Sequence, residues 1–121
     1  MLVFKRGKYS LEEDIEGDVT INGDDITFTG NGRKIHGFLH VSGKNILVEK
    51  VVLSPRCKDF TEIVSLSKCT DITLQDIEIE SPVELDYFAM CEPDSEATFS
   101  NCSFNGQLFD DPPSSEYIKR L

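Results

Sequence analysis

Short apolar-x-apolar pairs recur along this chain, separated by polar turns. The segments VTINGDDITF (19–28), LHVSGKNILV (39–48), VSLSKCTDITL (64–74) and FAMCEPDSEATF (88–99) each hold one pair, a turn and a second pair. The second pairs are Ile26/Phe28, Ile46/Val48, Ile72/Leu74 and Ala97/Phe99, spaced 20, 26 and 25 residues apart. Alternation with period two buries one face of a strand. Its return at a fixed longer interval marks equivalent units that stack. A third apolar pair or single follows in each repeat: Ile35, Val51/Leu53, Ile77/Ile79 and Cys102/Phe104. Three short strands per repeat predict an all-β, triangular parallel solenoid of about four coils, over 18–37, 38–58, 59–82 and 83–105.

The predicted inward set is Val19, Ile21, Ile26, Phe28, Ile35, Leu39, Val41, Ile46, Val48, Val51, Leu53, Val64, Leu66, Ile72, Leu74, Ile77, Ile79, Phe88, Met90, Ala97, Phe99, Cys102 and Phe104. No coil alone hides its face, so the interior forms only by stacking. Thr27, Leu47, Thr73 and Thr98 fall at the outward position of the second strand. Asp25, Asn45, Asp71 and Glu96 precede that strand, where Asn and Asp tolerate a left-handed turn.

The ends need covering, because a solenoid exposes sheet edges there. Residues 1–17 are expected to be the N-terminal cap and 106–121 a C-terminal cap or tail, all within a single domain. Ser10 with Glu13 fits a capping box, and a leading strand fits as well. Tyr117, Ile118 and Leu121 are placed to fold over the last coil, after Pro112-Pro113 stops regular structure. Segments 54–62 and 80–87 read as side loops.

The stretch 7–37 resembles the opening coils of right-handed parallel β-helix proteins, the pectate-lyase-like class and its NosD-like repeats. The residues that carry the likeness are Gly7, Tyr9, Leu11, Asp14-Ile15, Gly17, Gly30-Asn31-Gly32 and Ile35-His36-Gly37. The resemblance implies a right-handed helix. It also implies that enzymes of the class use a calcium-binding aspartate cluster with an Arg or Lys, or paired aspartates. Here Asp24-Asp25 lies in a turn and Asp71, Asp76 and Glu78 in the third coil, while Arg33 and Arg56 are out of register with them. A non-enzymatic protein is the expectation, with no cofactor and no metal. His36, read as a turn residue, and His40, read as outward, do not form a zinc pair on this strand pattern.

Composition narrows the function further. The net charge of −10 is uneven: residues 1–60 carry nine Lys/Arg and nine Asp/Glu, residues 61–121 three and thirteen. An acidic half repels nucleic acid and membrane phosphates and attracts basic surfaces. Glu78, Glu80, Glu84, Asp86, Glu92, Asp94, Glu96, Asp110 and Asp111 are the candidate partner-binding residues, expected along one side of the last coils. Ordered carboxylates on a rigid rod imitate nucleic-acid phosphates. The expected function is therefore an acidic inhibitor that docks on the basic surface of a nucleic-acid-processing protein, of the phage or mobile-element type. A carbohydrate-binding or tailspike-like module is the alternative, with Phe38, Phe60 and Tyr87 as its exposed aromatics. Self-association through a solenoid end is a third.

No stretch approaches the ~20 apolar residues that span a bilayer. The apolar run Met1–Phe4 precedes Lys5 and Arg6, the reverse of a secretory signal, so a cytoplasmic protein is expected. Cys57, Cys69, Cys91 and Cys102 lack metal-ligand spacing. They read as small hydrophobes, with a Cys69–Cys91 disulfide as the other reading.

Overall fold

A computed structural model describes residues 1–109 and 117–121. It is all-β, with no helix among the described residues. One sheet is built on three long strands, β4 (Val19–Thr29), β6 (Leu39–Glu49) and β8 (Val64–Gln75). At its edges lie β1 (Leu2–Val3) and β2 (Gly7–Ser10) against β4, then β10 (Ala89–Cys91) and β11 (Ala97–Ser100) against β8. β14 (Ile118–Arg120) pairs with β10. The second sheet runs β13-β12-β9-β7-β5-β3, from β3 (Ile15–Glu16), β5 (Lys34–His36), β7 (Val52–Leu53), β9 (Glu78–Ile79), β12 (Cys102–Phe104) and β13 (Gln107–Phe109). Among the described residues every pairing is parallel except that of β12 with β13.

The registers follow the sequence interval. Ile26 pairs with Ile46, Ile46 with Ile72 and Ile72 with Ala97, so like residues stand in one column. Thr27, Leu47, Thr73 and Thr98 form the adjoining outward column. The long strands bend at Asp25 (φ 56°), Asn45 (φ 58°) and Asp71 (φ 58°), the left-handed conformation expected of them. Glu96 is not among the positive-φ residues. A second left-handed column, Lys50 (φ 56°), Asp76 (φ 53°) and Asn101 (φ 51°), follows the second strand segment in the second, third and fourth repeats.

Of the predicted inward residues, all but Met90 and Ala97 are buried. The core also takes in Val3, Leu11, Ile63, Cys69, Ala89, Cys91 and Ile118, and among the described residues no polar or charged side chain is buried in it. In the strand β10 the inward residues are Ala89 and Cys91, in register with Val64 and Leu66, and Met90 is half-buried beside Ser65. Phe88, just before the strand, fills the corner next to Ile63, and its oxygen accepts from Ile63 N (2.7 Å) and Val64 N (2.9 Å). The bulky ring occupies the corner, so the strand behind it needs only small side chains.

Both end segments contribute strands, and at the front the leading-strand alternative applies. Residues 2–16 supply β1, β2 and β3, all parallel to the next repeat. The Ser10/Glu13 box starts no helix; Ser10 ends β2. At the other end, Asn105 (φ 48°) and Gly106 (φ 87°) turn the chain back into the antiparallel β13. Two left-handed residues suit the tight hairpin turn that Asn-Gly favours. Ile118 is buried and Tyr117 half-buried, whereas Leu121 is exposed. The intervals 54–62 and 80–87 contain no strand, as expected of side loops.

Candidate functional site

The candidate carboxylates fall in three separate places. Glu78 and Glu80 lie on and just after β9 in the second sheet, where Glu78 is beside Val52 and Ser103. Glu80 is 3.4 Å from Lys34 Nζ, with both side chains about half-exposed. Such a pair contributes at most about 1 kcal/mol. Glu84 and Asp86 belong to the loop from β9 to β10 and are exposed. Glu92, Asp94 and Glu96 sit together on the turn from β10 to β11, on the first sheet. Asp110 and Asp111 lie outside the described residues. The expectation of one continuous acidic side thus meets a different arrangement, because the repeat sends successive segments to different sheets.

The corner of Glu92–Glu96 is held by its backbone. Glu92 N donates to Leu66 O (2.9 Å), Ser95 N to Glu92 O (3.0 Å) and Glu96 N to Cys69 O (2.9 Å). Asp94 itself has a structural partner, since its Oδ1 accepts from Lys68 N at 3.3 Å. The same use of aspartate recurs along the stack. Asp14 Oδ1 accepts from Lys34 N (2.9 Å), Asp18 Oδ1 from Phe38 N (3.0 Å) and Asp24 Oδ1 from Lys44 N (3.1 Å). Asn45 Nδ2 donates to Asp25 Oδ1 at 2.9 Å, and Arg6 reaches the other oxygen at 3.3 Å. Many carboxylates here therefore satisfy corner amides of a neighbouring repeat, a role that a buried or turning backbone demands. Glu92 and Glu96 are exposed on this pinned turn.

An open cleft of about 790 Å³ lies at the C-terminal end of the stack. Its walls include Glu84, Asp86, Phe60, Tyr87, Phe104 and Tyr117. Phe104 continues from the core, with its ring 5.3 Å from that of Phe88 and 5.1 Å from that of Tyr117. Phe60 is propped by Phe38, ring centroids 5.2 Å apart and edge to face. Of the aromatics named from the sequence, Phe60 and Tyr87 reach this cleft, while Phe38 stands behind Phe60. Phe104 and Tyr117 are not sequence-predicted site residues: the alternation marks Phe104 as inward, and Tyr117 is expected only to fold over the last coil.

His36 lies in strand β5 rather than in a turn, with Nδ1 3.1 Å from Ser54 O and Nε2 4.0 Å from Asp14. His40 is half-buried on β6. Among the described residues no group of three His, Cys, Asp or Glu side chains is arranged to hold a metal ion. Arg56 pairs with Glu16 at 3.1 Å, away from the aspartates of the third repeat.

No disulfide joins Cys69 to Cys91; Cys57 is exposed, and Cys69, Cys91 and Cys102 are buried. Cys69 Sγ donates to Val41 O at 3.2 Å. Burial pushes its thiol above the ordinary value of 9.0, outweighing the hydrogen bonds that favour the thiolate. The stabilisation is complete below the unfolded-state pKa and is lost as pH rises through the raised folded value. Urea unfolding midpoints are expected to fall from about pH 8 to about pH 10, and Cys69→Ala is expected to flatten part of that decline. An unchanged pH profile in the variant would refute the assignment.

Comparison with known protein families, with curated proteins and with solved structures found no match for this chain. No helix among the described residues is long and apolar enough to cross a membrane.

Proposed function

We propose that the two sheets are the walls of a right-handed parallel β-helix of about four coils, preceded by the strands of residues 2–16. The in-register columns of Ile26, Ile46, Ile72 and Ala97 support this reading. Its kinship with the pectate-lyase-like and NosD-like repeats belongs to the same proposal and rests on the glycine, tyrosine and aspartate spacing of residues 7–37.

On this scaffold we place a non-enzymatic binding protein. Its acidic C-terminal half docks on a basic surface and blocks it sterically and electrostatically, as an inhibitor of a nucleic-acid-processing protein would. The observation that carries the reading is charge asymmetry, with the whole excess of −10 in residues 61–121. The corner Glu92–Asp94–Glu96 and the loop Glu84–Asp86 are the docking elements. Backbone hydrogen bonds hold the corner in place, so little ordering entropy opposes its binding.

Affinity for a basic partner falls steeply with salt when exposed charges carry it. Capture of host proteins on the immobilised chain is expected at about 0.05 M salt and to be lost at about 0.5 M, where screening lengths shrink to a few ångströms. The triple variant Glu92→Gln, Asp94→Asn, Glu96→Gln keeps the acceptor that Lys68 N needs and removes the charge. It is expected to retain at most about a tenth of the captured protein. Capture that ignores both salt and the variant overturns the reading.

The second reading, a carbohydrate-binding or tailspike-like module, draws on one observation: Phe60, Tyr87 and Tyr117 gather in a single cleft. Binding of neutral glycans at high salt would select it.

A further inference from the structure

We propose that the C-terminal cleft receives a cationic side chain, a guanidinium or alkylammonium group, from the basic partner. The inference narrows the docking function proposed above and rests on it. Three features of the cleft point to a cation.

The first is the composition of its wall. Carboxylates come from Glu84 and Asp86 and aromatic side chains from Phe60, Tyr87, Phe104 and Tyr117, and none of the described lining residues is Lys, Arg or His. A cation over an aromatic face is attracted by the ring quadrupole, and adjacent carboxylates add direct charge. The second is scale. At about 790 Å³ the cleft lies within the range of small-ligand sites and exceeds what one side chain needs, so its mouth admits the chain that bears it. The third is a cation already on one of these rings. Lys119 Nζ stands 5.3 Å from the centroid of Tyr87. The ring that borders the cleft therefore engages an ammonium group from this chain, and an incoming one finds the same chemistry on the neighbouring faces.

The rings are held from behind. Phe104 packs on Phe88 and Tyr117, and Phe60 on Phe38. Glu84 and Asp86 come from the loop between β9 and β10 and are exposed. A sugar also uses aromatic platforms, but the two carboxylates, with no cation among the described lining residues, favour a positive ligand over a neutral one.

The test is a nuclear magnetic resonance titration of the full chain with arginine methyl ester, tetramethylammonium and methyl glucoside, each alone. The two cations are expected to shift the signals of Thr61, Leu85, Tyr87 and Asn105 with dissociation constants of about 1–10 mM, the strength of a single side-chain site. Glu84→Gln with Asp86→Asn is expected to weaken them about tenfold. The Glu92→Gln, Asp94→Asn, Glu96→Gln variant is expected to leave them within about twofold, since its charges are on another turn. Amide spectra of the variants are expected to stay those of the parent fold, since both substitutions lie at exposed positions. Cation shifts that are absent, or unchanged by the Glu84/Asp86 substitutions, overturn the inference. So does methyl glucoside binding as tightly as the cations. Because the titration uses no partner protein, its failure leaves the salt-sensitive capture result standing. Loss of capture sensitivity, with the titration intact, instead removes the docking function alone.

Discussion

Gly43→Ala is expected to unfold most of the protein at temperatures where the parent chain is stable. Gly43 has φ +132°, a region L side chains rarely adopt, and a Cβ built there would stand 1.7 Å from Gly23 O. The obstacle is backbone, so no side chain can swing aside. Gly23 and Gly43 are register partners at the bend of β4 and β6, and a Cβ on Gly23 would in turn meet Phe4 O at 2.5 Å. The chain thus carries glycine where adjacent strands approach too closely for a methyl group. Relief requires β4 and β6 to part at the centre of their pairing. Strained φ and overpacking together cost roughly 2–6 kcal/mol. Against a total stability of about 5–15 kcal/mol, that lowers the melting temperature by about 10–30 °C. Gly32→Ala is the control: φ is +77° but nothing lies within 4 Å of the added Cβ. It is expected to cost about 1 kcal/mol, the conformational part alone. Equal melting temperatures for the two variants would show that the Gly23–Gly43 approach is not a constraint.

The second large effect is expected at Phe88. Its side chain is 0 % exposed, and its ring stands 5.7 Å from Phe99 and 5.3 Å from Phe104. Phe88 N also donates to Tyr117 O at 2.9 Å, which ties the last described segment to the stack. Phe88→Ala removes the ring that joins these elements and leaves a cavity, at about 3–5 kcal/mol. Met90→Ala, two positions on, is expected to cost less than about 1 kcal/mol, because that side chain is half-buried on the outward side of β10. Urea unfolding of the two variants decides the register of this strand. A larger loss at Met90 would place the strand one residue out, since such a slip exchanges the two faces. Phe88→Ala is also expected to abolish cation binding in the cleft, because Phe104 loses its support.

The comparison of Phe88 and Met90 shows where sequence reasoning reached its limit. Alternation alone located β4, β6 and β8, since Val19/Ile21, Leu39/Val41 and Val64/Leu66 stand inward as large residues on a period of two. In β10 the largest apolar residues do not mark the inward face. Register with β8 puts Ala89 and Cys91 inside, and the corner ring of Phe88 takes up the volume. The irregular interval was legible but its cause was not. The separation is 25 residues at Val64 against Leu39 and 26 at Ile72 against Ile46, because β8 holds one extra residue between Leu66 and Cys69, opposite the step from Val41 to Gly43. Lys68, with φ 50°, absorbs it just before Cys69. Nothing in composition distinguishes such a bulge from a longer turn.

Two signals were present in the sequence and pointed to the structure. Asn105-Gly106 is a strong hairpin dipeptide and does turn β12 into β13. Tyr9 and Ile15 carry the aromatic and aliphatic positions of the following repeat, and they pair with Phe28 and Ile35. For the candidate site, charge asymmetry was legible from residue counts, but its division among two sheets and a loop was not. Which sheet a residue joins depends on where the chain bends. Part of that bending rests on left-handed residues such as Lys50, whose type gives no warning. The cleft was hidden for a related reason, because Tyr117 approaches Phe104 only after the hairpin reverses the chain.

The central claim is that successive repeats pair in parallel and in register, so that equivalent residues form columns. Through-space proton contacts along the outward column of Thr27, Leu47, Thr73 and Thr98 test it most directly. The pairing predicts backbone contacts of Thr27 with Leu47, Leu47 with Thr73 and Thr73 with Thr98, and none that skip a member. Contacts in an antiparallel pattern among β4, β6 and β8, or columns shifted by one residue, would contradict the account.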